Sequence, residues 1–194
     1  MQETSAAADG LFFSPESARM EKGGCAMKKF TTRQIALCGI VAGLYAAITI
    51  LTASFSYGNI QFRLAEALCV LVCFDPGVTV GVTLGCLIAN LFSTVSALDI
   101  FVGTAATLLT CLLTANIRKA GLVPLPAIAV NGLLVGAMLA FVYTPDAFWQ
   151  GFFLMAGEVA LGETAVMYVI GVPLYLFLRK SGLVEKLLKE KRYS

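Results

Sequence analysis

Between residues 34 and 178 the chain runs through six apolar segments set apart by short polar breaks. A soluble domain of 194 residues has no core large enough to hide them. The segments cover residues 34–53, 62–74, 78–98, 100–117, 123–143 and 148–178. A helix needs about 20 apolar residues to cross about 30 Å of hydrocarbon. Five segments meet that length. The segment at 62–74 is short and carries Arg63 and Glu66, and the one at 148–178 is over-long and contains Glu158, Glu163 and Pro173. Composition agrees, with 58% hydrophobic and 13% charged residues, against about 45–50% and about 25% in soluble domains. A soluble enzyme, a nucleic-acid binder and a disordered chain are therefore excluded. The expected fold class is all-α, an integral membrane six-helix bundle.

Charge placement decides the status of the short segment. Lys and Arg gather at the cytoplasmic ends of membrane spans. Here Lys28, Lys29 and Arg33 precede the first segment, and Arg118 and Lys119 divide the fourth from the fifth. Arg179, Lys180, Lys186, Lys189, Lys191 and Arg192 follow the last. With six crossings all three clusters share one side, and of 14 Lys and Arg only Arg63 lies off it. The loops near residues 56–59, 96–99 and 144–146 then face outward, and both termini are cytoplasmic. The expected location is the cell membrane, multi-pass, with the lipid bilayer as solvent.

Three regions follow from this. Residues 1–33 form a polar tail, disordered or the product of an over-long start, since Met27-Lys28-Lys29-Phe30 makes a natural beginning. No basic start joins an apolar stretch there, so no signal peptide is expected. Residues 34–180 form the six-span domain. Residues 181–194 form a basic cytoplasmic tail, whose 184–191 stretch reads equally as an amphipathic surface helix or a solvated end.

Some chemistry is absent from the sequence. There is no histidine, the usual metal ligand and neutral-pH base. The cysteines Cys38, Cys69, Cys73, Cys86 and Cys111 sit in apolar runs and read as small hydrophobes. No metal and no cofactor are expected. No G-x-x-x-x-G-K-[ST] loop, H-E-x-x-H or G-x-S-x-G occurs, so the chain is read as a non-enzyme without its own ATPase site.

Small residues recur every four positions: Gly39, Gly43 and Ala47 beside Ala42 and Ala46, then Gly77, Gly81, Gly85 and Ala89, then Gly132, Gly136 and Ala140. Such ladders let helices approach closely in lipid.

The polar residues inside the apolar segments call for a reason, because a charge at mid-membrane costs roughly 2.5–3.5 kcal/mol. The set is Arg63, Glu66, Asn90, Asp99, Asn131, Glu158 and Glu163. Arg63 and Glu66, three apart, are expected to pair on one helix face. Glu163 lies at the midpoint of its segment. Glu158 and Glu163 differ by roughly 140° on a helical wheel and do not share a face. Carboxylates outnumber cations, which suits a ligand that donates hydrogen bonds or carries positive charge. A guanine-like edge, with adjacent N–H and NH₂ groups, fits that description. Tyr57, Phe62, Phe92, Phe101, Tyr143, Trp149 and Tyr168 either stack on such a ring or form an interfacial belt and lipid-facing bulk.

The stretch Ile60-Gln61-Phe62-Arg63-Leu64-Ala65-Glu66-Ala67-Leu68 resembles the opening signature of the QueT family. Similar motifs follow in order: Gly85-Cys86-Leu87-Ile88-Ala89-Asn90, Asp99 with Gly103, Asn131 with Gly136, Gly162-Glu163 and Gly171-Val172-Pro173-Leu174. The resemblance spans residues 32–180. It implies a six-helix S component of an energy-coupling-factor (ECF) transporter. Such a subunit captures a queuosine precursor, a 7-deazaguanine such as the aminomethyl form preQ1, outside and delivers it inside. The implied partners are a transmembrane coupling subunit and two ATPase subunits, with no nucleic acid. S components dock through small residues on the first helix, which nominates Ala42 and Ala46, with Gly39 and Gly43 as the competing face. The implied binding set is Glu163, Glu66, Arg63, Asn90, Asn131, Asp99 and Glu158, of which Glu158 lies outside the matched motifs. Two other classes stay open: an S component for another vitamin or cofactor precursor, and a standalone carrier driven by protons through Glu158 or Glu163.

Overall fold

The computed structural model describes residues 32–52, 62–93 and 96–181, and among these every regular element is helical. Helix α1 covers Thr32–Leu51. A 3₁₀ helix follows at Leu64–Cys73, then α2 at Val78–Asn90, α3 at Ala97–Thr114, α4 at Leu125–Tyr143 and α5 at Phe148–Val166. A π-helical turn at Met167–Gly171 joins α5 to α6, Val172–Ser181. Expectations placed on residues 1–31, on Tyr57 and on residues 184–191 lie outside the described residues.

Four stretches are long and apolar enough to cross a membrane: Thr32–Leu51, Ala97–Thr114, Ala120–Tyr143 and Pro145–Ser181. Two expected spans are not. The 3₁₀ helix has ten residues and α2 has thirteen, so each rises only about 20 Å. The 3₁₀ helix is enclosed, with Ala65, Glu66, Ala67, Leu68, Cys69, Val70 and Val72 all buried. It packs on α1, α2, α3, α5, α6 and the π turn, as a central post. A helix wrapped in protein need not reach the lipid surface to satisfy its ends.

The expected span at 78–98 is corrected. Helix α2 stops at Asn90, and Leu98 and Asp99 belong to the first turn of α3. The reason is a cap: the Ser96 hydroxyl accepts the Leu98 N–H at 3.2 Å, and Ser96-Ala97-Leu98-Asp99 has the S-x-x-D pattern that starts helices. The over-long last segment stays helical to Ser181, with a change of pitch. Pro173 offers no N–H to the Val169 carbonyl, and the wider π turn, which contains Val169, ends two residues before it.

Helix α1 buries Cys38, Val41, Ala42, Tyr45, Ala46 and Thr49, at spacings of three and four. The opposite side carries exposed Ile40 and Leu44, as a lipid-facing surface does. The inner face meets the Gly81–Gly85 ladder of α2. A Cβ at Gly81 would lie 2.6 Å from the Cys38 carbonyl oxygen, and one at Gly85 would lie 2.7 Å from that of Ala42. Helices α4 and α5 close in the same way: a Cβ at Gly136 would lie 2.6 Å from Ala156 Cα. Tyr175 of α6 fastens the other end, donating to the Arg118 carbonyl at 2.8 Å and packing its ring 5.2 Å from that of Phe74.

Candidate functional site

The central 3₁₀ helix positions the first carboxyl. With three residues per turn, side chains at i and i+3 eclipse, so Glu66 and Cys69 stand in one row. Cys69 Sγ donates to Glu66 Oε2 at 3.1 Å. Tyr45 Oη of α1 donates to Glu66 Oε1 at 2.6 Å, and Thr107 Oγ1 of α3 donates to the same oxygen at 2.9 Å. Glu66 is wholly buried and both its oxygens have partners. Cys69 also lies 3.8 Å, sulfur to sulfur, from Cys111, with both thiols free.

Arg63 precedes the first residue of that helix, with a non-helical backbone, and its side-chain hydrogen bonds go to other residues than Glu66. Its Nη2 donates to Asn90 Oδ1 and to Cys86 Sγ. The expected i,i+3 ion pair is therefore corrected, because Arg63 lies outside the helical repeat that would align it with Glu66. Asn90 uses its Nδ2 on the Asp99 carbonyl oxygen (3.1 Å), Cys86 Sγ (3.4 Å) and Thr104 Oγ1 (3.5 Å). Ser93 Oγ donates to Asp99 Oδ2 at 2.7 Å. These groups converge over Gly103. A Cβ there would lie 2.8 Å from Asn90 Nδ2, 2.8 Å from Asp99 Oδ1 and 3.3 Å from Arg63 Nη1, so only glycine leaves room for the cluster.

A second pair stands on α4 and α5. Asn131 Nδ2 donates to Glu163 Oε1 at 3.0 Å. Glu163 lies within electrostatic reach of Glu66 and Arg63. Both residues of the pair are 1% exposed.

Of the eight buried side-chain atoms without a hydrogen-bond partner among the described residues, five fall on these residues, and the other three are the hydroxyls of Thr83, Thr110 and Thr114. The five are Arg63 Nε and Nη1, Asp99 Oδ1, Asn131 Oδ1 and Glu163 Oε2. An unpartnered buried polar group costs roughly 1–3 kcal/mol. The five atoms come from four places in the fold: the residue before the 3₁₀ helix, α3, α4 and α5.

The model for QueT transporters matches residues 35–180. The chain belongs to the QueT transporter family. It is also similar to the queuosine precursor transporter QueT of Lactococcus lactis subsp. cremoris (strain MG1363), with 39% identity over 84 residues, 42% of this chain and 49% of that protein. The chain thus spans about half the length of the curated relative it matches. No solved structure matches. Family and helices together make this a multi-pass membrane transport protein.

In this QueT-family chain, six of the seven nominated polar residues enter the two clusters. Glu158 does not. It is half-buried, and no hydrogen bond joins it to either cluster among the described residues. The nominated aromatics stay outside too: Phe92, Phe101, Tyr143, Trp149 and Tyr168 are 43–74% exposed, and Phe62 is half-buried. They read as lipid-facing bulk. Ala42 and Ala46 are buried, Ala42 against Gly85 of α2. The outward small residues are Gly39, Gly43 and Ala47, and a Cβ at either glycine would meet nothing within 4 Å.

Six members of the network were not legible as functional: Tyr45, Cys69, Cys86, Ser93, Thr104 and Thr107. Tyr45 had a signal, as the one aromatic with a polar tip on the face of α1 that carries Val41, Ala42 and Ala46. Cys86 stands one turn before Asn90, and Thr107 one turn after Gly103.

Proposed function

We propose that this chain is the substrate-capturing S component of an ECF importer, and that it binds a 7-deazaguanine such as preQ1 between its two polar clusters. The observation that carries the reading is the Asn131–Glu163 pair. Two buried acceptors, Asn131 Oδ1 and Glu163 Oε2, have no donor, while a hydrogen bond between the same side chains holds them side by side. The guanine-type edge presents N1–H and the 2-amino group as adjacent donors, which match adjacent acceptors. The name of the Lactococcus relative, a queuosine precursor transporter, points to the same class of compound.

The sequence supplies no nucleotide-hydrolysing loop, so energy comes from partners: a transmembrane coupling subunit and two ATPase subunits. Six crossings with both termini cytoplasmic keep the Lys and Arg clusters on one side. The coupling subunit docks on the open groove of Gly39, Gly43 and Ala47, where a partner helix approaches the backbone closely.

The test is calorimetry on the purified chain in detergent. Glu163→Gln lowers affinity for the aminomethyl compound at least tenfold, about 1.4 kcal/mol. Equal binding by the variant removes Glu163 from the site. Stronger thermal stabilisation by riboflavin, thiamine or biotin than by 7-deazaguanines assigns the chain to another substrate. Uptake that persists in cells lacking the coupling and ATPase subunits makes it a standalone carrier.

A further inference from the structure

We infer that Cys69 and Cys111 are a redox-active thiol pair served by Glu66 as base, and that a small uncharged peroxide joins them in a disulfide. Cys69 lies on the central 3₁₀ helix and Cys111 on α3, 42 residues apart in sequence. Cys111 Sγ donates to Cys69 Sγ at 3.8 Å, and both thiols are free. They are the one thiol pair in contact among the described residues. The other described cysteines place their sulfurs elsewhere: Cys38 on the Gly77 carbonyl, Cys73 on the Thr114 carbonyl, and Cys86 on Thr107 Oγ1.

Cys69 in turn donates to Glu66 Oε2 at 3.1 Å, so the second thiol, the first thiol and a carboxyl stand in one row. Tyr45 and Thr107 also donate to Glu66, and three donors on two oxygens suit an ionised carboxylate, which only accepts. A thiol attacks as its thiolate. Glu66 Oε2 is placed to take the Cys69 proton, and Cys111 is placed to resolve the product. Both thiols are 0% exposed. That shuts out bulky or charged oxidants and admits a small uncharged one such as hydrogen peroxide.

The step balances with that one reactant. The Cys69 sulfur attacks a peroxide oxygen and the O–O bond breaks. The departing hydroxide takes the proton held by Glu66 and leaves as water, with Cys69 as a sulfenic acid. The Cys111 sulfur then attacks the Cys69 sulfur and the S–O bond breaks. The hydroxyl leaves with the Cys111 proton as a second water. The two thiols give up two electrons and two protons, and the peroxide is reduced to two waters. The bond ties the central helix to α3 and withdraws from Glu66 Oε2 its donor.

The experiment treats the full chain, folded in detergent, with hydrogen peroxide, followed by non-reducing digestion and mass spectrometry. The expected product is one linked peptide pair carrying Cys69 and Cys111, lighter by two hydrogen atoms and separated again by dithiothreitol. Cys111→Ser stops at the Cys69 sulfenic acid, which dimedone traps. Glu66→Gln keeps both thiols but puts an amide where the base stood, and it links at least tenfold more slowly, with its unfolding midpoint recorded to show that it folds. A native chain that stays reduced, or that links through others of its six cysteines in place of this pair, overturns the inference whether or not either variant folds. A folded Glu66→Gln protein that links at the native rate overturns the role of Glu66.

Discussion

Glu66 and Glu163 are both fully buried carboxyls inside one apolar bundle, and their surroundings differ. Glu66 receives three donors, from Tyr45, Cys69 and Thr107. Glu163 receives one, from Asn131, and its second oxygen has none. The first is built into the protein, joining α1, the 3₁₀ helix and α3. The second is held in place but left incomplete. Buried polar groups are normally satisfied, and in the function proposed above the open oxygen of Glu163 is the one a ligand meets. Asp99 repeats the second pattern, with Oδ2 anchored by Ser93 and Oδ1 open.

The comparison breaks if the two carboxyls respond alike to substitution. The largest effect is expected from Glu66→Ala, which strands three buried donors at once. It lowers stability in detergent by about 3 kcal/mol or more, read as a large fall in the unfolding midpoint without ligand. Tyr45→Phe removes one donor and leaves Thr107 on the same oxygen, so a loss of about 1 kcal/mol is expected in the same assay. Cys69→Ala removes a weak S–H donor and is expected to cost roughly 0.5–1 kcal/mol. Glu163→Gln is the smallest, within about 0.5 kcal/mol without ligand, because one hydrogen bond at most changes, while its ligand affinity falls at least tenfold. A Glu163→Gln protein that unfolds as readily as Glu66→Ala would make both carboxyls structural and end the distinction.

Much of the frame was legible. Among the described residues each of the six apolar segments contains helix, in order, and buried polar positions stand out against them. Asn90 and Asn131 were visible as amides inside apolar runs, Asp99 as the charge between two of them, and Glu163 as a carboxyl at mid-segment. Where the reading failed, local geometry was the cause. Periodicity for an α-helix paired Arg63 with Glu66, but the segment winds as a 3₁₀ helix that starts after Arg63. Hydropathy alone carried the third span through to Leu98, although the Ser96 cap starts the next helix there. The docking face on α1 was ambiguous because small residues occupy two of its sides, and only contact with α2 shows which side is spent.

The sequence by itself determined that this protein lives in lipid, which stretches are helical, and which side chains bear polarity the bilayer does not tolerate. These are local properties, set by hydropathy and charge along the chain. The tertiary structure alone decided which of those polar atoms are satisfied and which are open. The deciding partners are remote: Tyr45 is 21 residues from Glu66, Asn90 is 27 from Arg63, Glu163 is 32 from Asn131, and Thr107 is 41 from Glu66. Hydrogen bonding acts over about 3 Å of space, so packing, rather than spacing in sequence, separates a structural carboxyl from a receptive one.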